Sequence, residues 1–308
     1  TDWGRDTMIA LPGLTLVTRR YDDARDILQT YAKYIKNGIV PNVFPDDGQQ
    51  PAYNTVDASL WYFEAIYKYI EFTGDCDFVK EILFEKLLEI INSYTKGTCY
   101  DIRMDSDYLL SAGNINTQLT WMDAMAGGRA VTPRYGKAVE INALWYNAVI
   151  IMSKLSAMFN NSIKHCQSAK SAKNAKYYEG IALNIKDNFE KTFWNDKEQC
   201  LFDVVNKEYK DNKIRPNQIL AVSLSNPVIK GEKAKKVVQK VWKELYTAYG
   251  IRSLSKRSYE YSGIYKGNPY ERDYSYHQGT AWAWLSGQFI TALIKLRRTS
   301  TTGASVPP

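Results

Sequence analysis

Histidine and cysteine are scarce in this chain. Its 308 residues hold two histidines, His165 and His277, and four cysteines, Cys76, Cys99, Cys166 and Cys200. No Cys-x-x-Cys or His-x-x-x-His spacing occurs, so no metal site is expected. Cysteines this sparse do not make a disulfide framework. They read as free thiols in a reducing compartment, and the expected location is cytoplasmic. Long apolar runs are missing as well: none reaches the roughly 20 residues of a membrane span. The chain begins at Thr1 without Met, so nothing is read from the lack of a signal segment.

Acidic residues are outnumbered, giving a formal net charge of +7. The excess gathers between Lys230 and Arg257, where Lys233, Lys235, Lys236, Lys240 and Lys243 alternate with Val237, Val238, Val241 and Trp242. That pattern predicts an amphipathic helix with a wet basic face. No nucleic-acid motif accompanies it, so neither a nucleic acid nor a membrane is expected as partner.

Aromatic residues are plentiful, at 13% with 8 Trp and 23 Tyr. Flat apolar rings fill cores, and they also stack on the C–H faces of sugars.

Helical periodicity dominates the chain. Helices are expected over Asp6–Thr18 with Pro12 disturbing the middle, and over Asp22–Asn37 with Gly38 as the stop. Others are expected over Thr55–Thr73 ended by Gly74, from Asp75 to Lys96, and over Ala138–Phe159. Ser168–Phe193, Pro216–Leu224, Glu232–Tyr246 and Gln278–Leu296 complete the set. Cys200–Val205 reads as a strand in a hairpin. Ile39–Asn54, the stretch before Lys137 and the Tyr-rich Ser253–Ser275 read as loops.

Asp57-Ala58-Ser59-Leu60-Trp61-Tyr62 resembles Ile141-Asn142-Ala143-Leu144-Trp145-Tyr146, and Gln278–Leu285 is a third aromatic-rich helix start. Apolar helices alternate with helices charged on one face, which predicts an inner and an outer helical ring. Trp61 and Trp145, at helical spacing, are expected in the core. The helix count is uneven, so the ring is expected to be truncated. Residues 1–298 would form one domain, incomplete at both ends, and residues 299–308 a disordered or non-native tail.

Thr120-Trp121-Met122-Asp123 carries the most chemistry. A carboxyl behind an aromatic and a thioether is desolvated, held protonated, and suited to donate a proton to a glycosidic oxygen. A loop Asp that caps a turn is the plainer alternative.

With that segment, Thr1-Asp2-Trp3-Gly4-Arg5-Asp6-Thr7, Glu140-Ile141-Asn142-Ala143-Leu144-Trp145, Arg215-Pro216-Asn217-Gln218 and Tyr276-His277-Gln278-Gly279-Thr280 resemble, in order, the amylo-α-1,6-glucosidase domain of glycogen debranching enzymes of the prokaryotic type. The resemblance runs from Thr1 to about Arg297. It implies an all-α (α/α)6 toroid related to glucoamylases, here with small β-hairpin insertions. It also implies cofactor-free, inverting hydrolysis of an α-1,6-linked glucose stub on glycogen or limit dextrin.

By resemblance, Asp123 matches the general acid. Trp3, Arg5 and Asp6 are similar to the segment that holds the terminal glucose. Glu140, Asn142, Asn217, Gln218, His277 and Gln278 fall at further pocket positions. Asp57 and Trp121 are also expected near the substrate. Local alternatives exist: an Arg5–Asp6 ion pair, helix-start carboxylates at Asp57 and Glu140, a structural His277. The water-activating base is not placed. Eukaryotic relatives carry a Glu where Ala281 stands here, and the base is expected beyond the chain end, with Glu140, Glu260 and Glu271 as weak substitutes. The competing functions are a non-catalytic glucan-binding module on the same fold and another glucoamylase-like α-glucosidase.

Overall fold

The computed structural model describes residues 2–46, 48–160 and 175–301. His165, Cys166, the first part of the expected Ser168–Phe193 helix and residues 302–308 lie outside them. The described chain is mostly helical, with sheets of two or three very short strands. It falls into two compact units. The first holds Thr1–Gly113, Leu119–Trp121 and Leu144–Ile185; the second holds Asn114–Gln118, Met122–Ala143 and Lys186–Pro308.

In the first unit the chain enters as a strand, Asp2–Trp3, paired antiparallel to Val43–Phe44. The Gly4–Leu11 helix follows and continues as a π-helical turn, Pro12–Leu16. Pro12 is where the helical register changes: its carbonyl accepts from Val17, five residues on, at 3.0 Å. A proline has no N–H to give back and crowds the preceding turn, so the wider turn relieves both problems.

The next helix is Tyr21–Lys33, shorter than the expected run to Asn37. Lys36 and Ile39 already pair as a bridge around Asn37 and Gly38, both at positive φ, so Gly38 turns a loop rather than ending the helix. Gly74, at φ 69, does end the Asp57–Thr73 helix, donating to Ile70 O at 2.9 Å. Asp75 then caps the next helical stretch by accepting from Phe78 N. That stretch runs as Cys76–Phe78, a π turn Val79–Leu83 and Phe84–Lys96.

Asp57–Thr73 is buried around its whole first half, Ala58 through Ile66. A helix apolar on all sides belongs inside. Trp61 and Trp145 are both buried as expected. The Trp145 indole donates to Tyr108 O at 3.2 Å, and the Tyr94 hydroxyl donates to Val56 O at 3.0 Å, so these large rings bury no unsatisfied tip. Burial pushes the Tyr62 and Tyr94 hydroxyls well above the usual phenol range.

In the second unit the expected Cys200–Val205 strand is divided. Cys200–Leu201 pairs with Trp194–Asn195, and Val204–Val205 pairs with Lys137–Ala138. Pro216–Leu224 is a 3-10 turn, Pro216–Ile219, followed by a single helical turn, Leu220–Ser223. The basic helix, Gly231–Leu245, buries Ala234, Val237, Val238, Val241 and Leu245. Much of its charge is met locally, by Lys233 on Glu190 and Lys240 on Glu198.

The expected loop Ser253–Ser275 contains a helix, Pro269–Ser275, opened by an Asn268/Glu271 capping box with Pro at the first position. The last helix is Trp284–Thr301 and runs past the expected end at Leu296. It is not buried all round: Leu285, Phe289 and Ala292 are covered, while Ile290 and Ile294 are exposed. No described helix is long and apolar enough to cross a membrane.

Candidate active site

Trp3, Arg5, Asp6, Asp57 and Trp121 belong to the first unit. There Arg5 and Asp57 come together. The Arg5 Nε donates to both Asp57 oxygens at 2.9 and 2.8 Å, and Nη2 donates to Thr55 Oγ1 at 3.3 Å. The Thr55 hydroxyl in turn donates to Asp57 Oδ1 at 2.5 Å.

Asp57 is the first residue of its helix, so the exposed N–H groups of that turn favour its charge as well. Gly4 makes this seat possible. A Cβ there would stand 2.1 Å from Pro41 O, so only glycine lets the Arg5 segment lie against the loop. The alternative Arg5–Asp6 ion pair does not form: Arg5 is buried and pairs with Asp57, while Asp6 is exposed. Trp3 is 47% exposed and Trp121 is buried.

Asp123, Glu140, Asn142, Asn217, Gln218, His277 and Gln278 belong to the second unit. Asp123 is half-buried and follows Met122, which is buried. The Met122 sulfur receives Asn217 Nδ2 at 3.6 Å and Arg215 Nη1 at 3.9 Å. Arg215 is the hub. It donates to Ser253 O at 3.1 Å, to His277 O at 2.7 Å and to Gln278 Oε1 at 2.8 Å. Gln278 Nε2 reaches Val131 O at 3.4 Å, on the far side of the hairpin that follows Asp123. A single buried guanidinium therefore ties the Met122, Ser253 and His277–Gln278 segments together.

Beside it lies a second buried arginine. Arg134 is clamped between Glu140 and Asp203, and Asn217 Nδ2 donates to Asp203 at 2.8 Å. Asp203 also faces Arg215, with Nε at 3.8 Å. Two cations and two anions thus share one dry space.

The two guanidinium groups respond oppositely. For Arg134, desolvation favours proton loss, but Asp203 and Glu140 outweigh it, and its pKa rises. For Arg215, desolvation dominates and Asp203 only partly compensates, so its pKa falls. Both stay charged, since the free guanidinium titrates above about 12.

The remaining expected residues also make contacts within this unit. Asn142 Nδ2 bonds back to Ala138 O at 3.0 Å. Gln218 accepts from Leu201 N at 3.3 Å and donates to Arg215 O at 3.1 Å, holding the turn that carries Arg215. His277 is buried, with its ring stacked at 5.5 Å on Trp282. Gly279, at φ 142, lets the Tyr261 ring approach: a Cβ would meet it at 2.6 Å.

The weak substitutes for a base are all engaged. Glu140 holds Arg134, Glu260 pairs with Lys213 at 3.4 Å, and Glu271 closes its capping box.

Arg134 and Asp203 are buried members of this cluster that the sequence reading passes over, and Arg215 appears there only as part of a motif. Asp203 sits between Phe202 and Val204 and looks like a strand interruption. Only its distant partners give it meaning. Among the described residues there is no group of three or more His, Cys, Asp or Glu placed to hold a metal. Cys76, Cys99 and Cys200 are free thiols, and burial pushes Cys200 up to about 11.

The amylo-alpha-1,6-glucosidase family profile matches residues 1–306. The glycogen debranching enzyme of Saccharomyces cerevisiae is 27% identical, over 94% of this chain and 24% of its own length. A rhamnosidase from Klebsiella oxytoca, solved with rhamnose bound, superposes with a TM-score of 0.59 at 13% identity, over 97% of this chain and 47% of that one. A solved sialidase gives a TM-score of 0.55 at 15% identity, over 82% of this chain and 21% of its own. At these identities the two structures speak to fold alone.

Proposed function

The chain belongs to the amylo-alpha-1,6-glucosidase family, a family of glycoside hydrolases, and from that premise we propose that it removes α-1,6-linked glucose from branch stubs of glycogen or limit dextrin, with Asp123 as the general acid. The observation that carries this reading is the anchoring of Met122. Its buried sulfur is held by Arg215 and Asn217, which fixes the chain one residue before half-buried Asp123. Apolar neighbours disfavour the charged form of a carboxyl, and partial exposure leaves it in reach of a ligand.

In this reading the carboxyl of Asp123 protonates the leaving glycosidic oxygen as the bond to the anomeric carbon breaks. Inversion requires water on the opposite face of the sugar, delivered by a second carboxylate about 6.5–9.5 Å away. Arg215 holds the Gln278 side chain and the His277 backbone carbonyl as it holds Met122, and in this reading the two residues line the sugar pocket. In the first unit, Arg5 and Asp57 brace one another, and Asp6 and Trp3 are the groups left exposed for a ligand. The (α/α)6 toroid expected from the resemblance is part of the same proposal, supported by the helix content and the fold likeness.

The test is glucose release from a limit dextrin carrying single-glucose stubs. Asp123→Asn should lower the rate about 10²- to 10⁴-fold, the usual share of a general acid. Equal rates would remove Asp123 from the mechanism. Tight glucan binding with no glucose released by the wild type would instead mark a binding module.

A further inference from the structure

The stretch after Asp123 is a hairpin. Met125–Ala126 pairs with Arg129–Ala130, and Gly127 and Gly128, at φ 58 and 76, make the turn. The Pro269–Ser275 helix packs on this hairpin, and a Cβ on Gly127 would lie 3.4 Å from the Tyr270 ring.

That short helix is fixed at both ends. Glu271 N donates to Asn268 Oδ1 at 3.0 Å, Asn268 N donates to Glu271 Oε2 at 2.8 Å, and Arg272 donates to Gly267 O at 2.9 Å. At its other end the chain passes directly into buried His277 and Gln278. Tyr270 and Tyr274, one helical turn apart, are 58% and 42% exposed. Neither hydroxyl bonds to another described residue. The core does not need these rings, yet the helix that carries them is held rigidly.

An exposed phenol has a flat apolar face and a polar tip, a combination that suits the C–H face and the hydroxyls of a pyranose. Residues four apart on a helix stand about 5–6 Å from each other at Cβ, so the two rings share one face of the helix. Three residues, Ala124 to Ala126, separate Asp123 from Gly127, so Gly127, against which Tyr270 lies, stands within roughly 13–15 Å of the acid. The surrounding charges, Arg129, Glu271, Arg272 and Asp273, are mixed in sign, which fits a neutral polymer better than a polyanion.

Building on the glucosidase reading of Asp123, we propose that Tyr270 and Tyr274 form an acceptor-side platform that holds the main α-glucan chain from which the cleaved stub branches.

The experiment compares wild type with Tyr270→Ala/Tyr274→Ala. Both side chains are on the surface, so the urea midpoint should not move. Retardation in native gels containing glycogen should weaken about tenfold in the double variant, and KM for limit dextrin should rise about tenfold with kcat unchanged. Hydrolysis of α-glucosyl fluoride, which has no acceptor chain, should be the same in both proteins. Tyr270→Phe/Tyr274→Phe should restore most of the retardation.

An active wild type whose KM for limit dextrin does not change in the double variant would overturn the platform. A wild type inactive on both substrates would instead count against the glucosidase reading. The gels would then decide the platform by themselves: retardation lost in the variant sustains it, and equal retardation, or none in either protein, overturns it.

Discussion

Each unit buries arginine with carboxylate, and they do so differently. In the first, Arg5 holds both oxygens of Asp57, with Thr55 beside them at a helix start. In the second, Arg134 and Arg215 share Asp203, and Glu140 completes the set. The first pair is locally neutral and anchors one helix entrance. The second distributes its charges over the loop at Arg134, the helix start at Glu140, the strand end at Asp203 and the turn at Arg215. Arg215 spends most of its hydrogen bonds on backbone carbonyls and Gln278. A pair stabilises a helix; a shared cluster fixes loops relative to one another, and loops carry the chemistry.

If that contrast holds, the largest effect should come from Asp203→Leu, which removes the carboxylate that two buried cations share and leaves Arg134 with Glu140 alone. Losing one partner of a buried pair costs about 3–5 kcal/mol, and two losses should leave little or no folded protein. Far-UV circular dichroism and urea melts would show this, and a variant losing less than ~2 kcal/mol would break the contrast.

Asp57→Leu takes from buried Arg5 the carboxylate it holds through Nε and should cost about 3–5 kcal/mol, while Arg5→Met/Asp57→Leu should recover part of that loss. Failure of the double variant to recover would show that the first pair, too, holds more than itself. Asp123→Asn keeps the size of a half-buried side chain and should cost less than ~2 kcal/mol by urea melt, well below its effect on glucose release.

The smallest effect belongs to Glu198. Hydrogen bonds from Arg257 and then Lys240 hold its carboxyl below the usual range. The folded value lies below the unfolded one, near 4.3, so this contribution is present above that pH and disappears as pH falls through the folded value. Glu198→Gln should remove that slope from an acid titration of stability. The change should be under ~1 kcal/mol, because the group faces solvent.

How much was legible depended on distance along the chain. Gly74 and Asp75 announced a helix end and the next beginning, and both act as read, since a C′ glycine and an N-cap carboxylate work within a few residues. Asn268-Pro269-Tyr270-Glu271 carried an equally local signal but was submerged in a polar, Tyr-rich stretch. The helix there is short and its rings lie outside, so no apolar period marked it.

Cys200–Val205 was readable as extended but not as two strands with different partners. Extended character is local, whereas pairing is a choice among distant edges. Arg5 had a neighbour of opposite charge at Asp6 and took Asp57, 52 positions away, because burial selects the carboxylate that is buried with it.

The order of amino acids alone set the mostly helical character, the caps, the apolar helices and the motifs that give the family. Those features follow from short-range backbone sterics and from the periodic placement of apolar side chains. Tertiary structure decided which charges meet: Arg134 with Asp203 across 69 positions, and Arg5 with Asp57 across 52. A buried ion must be matched wherever the packed chain brings an opposite charge, and no local spacing encodes that place.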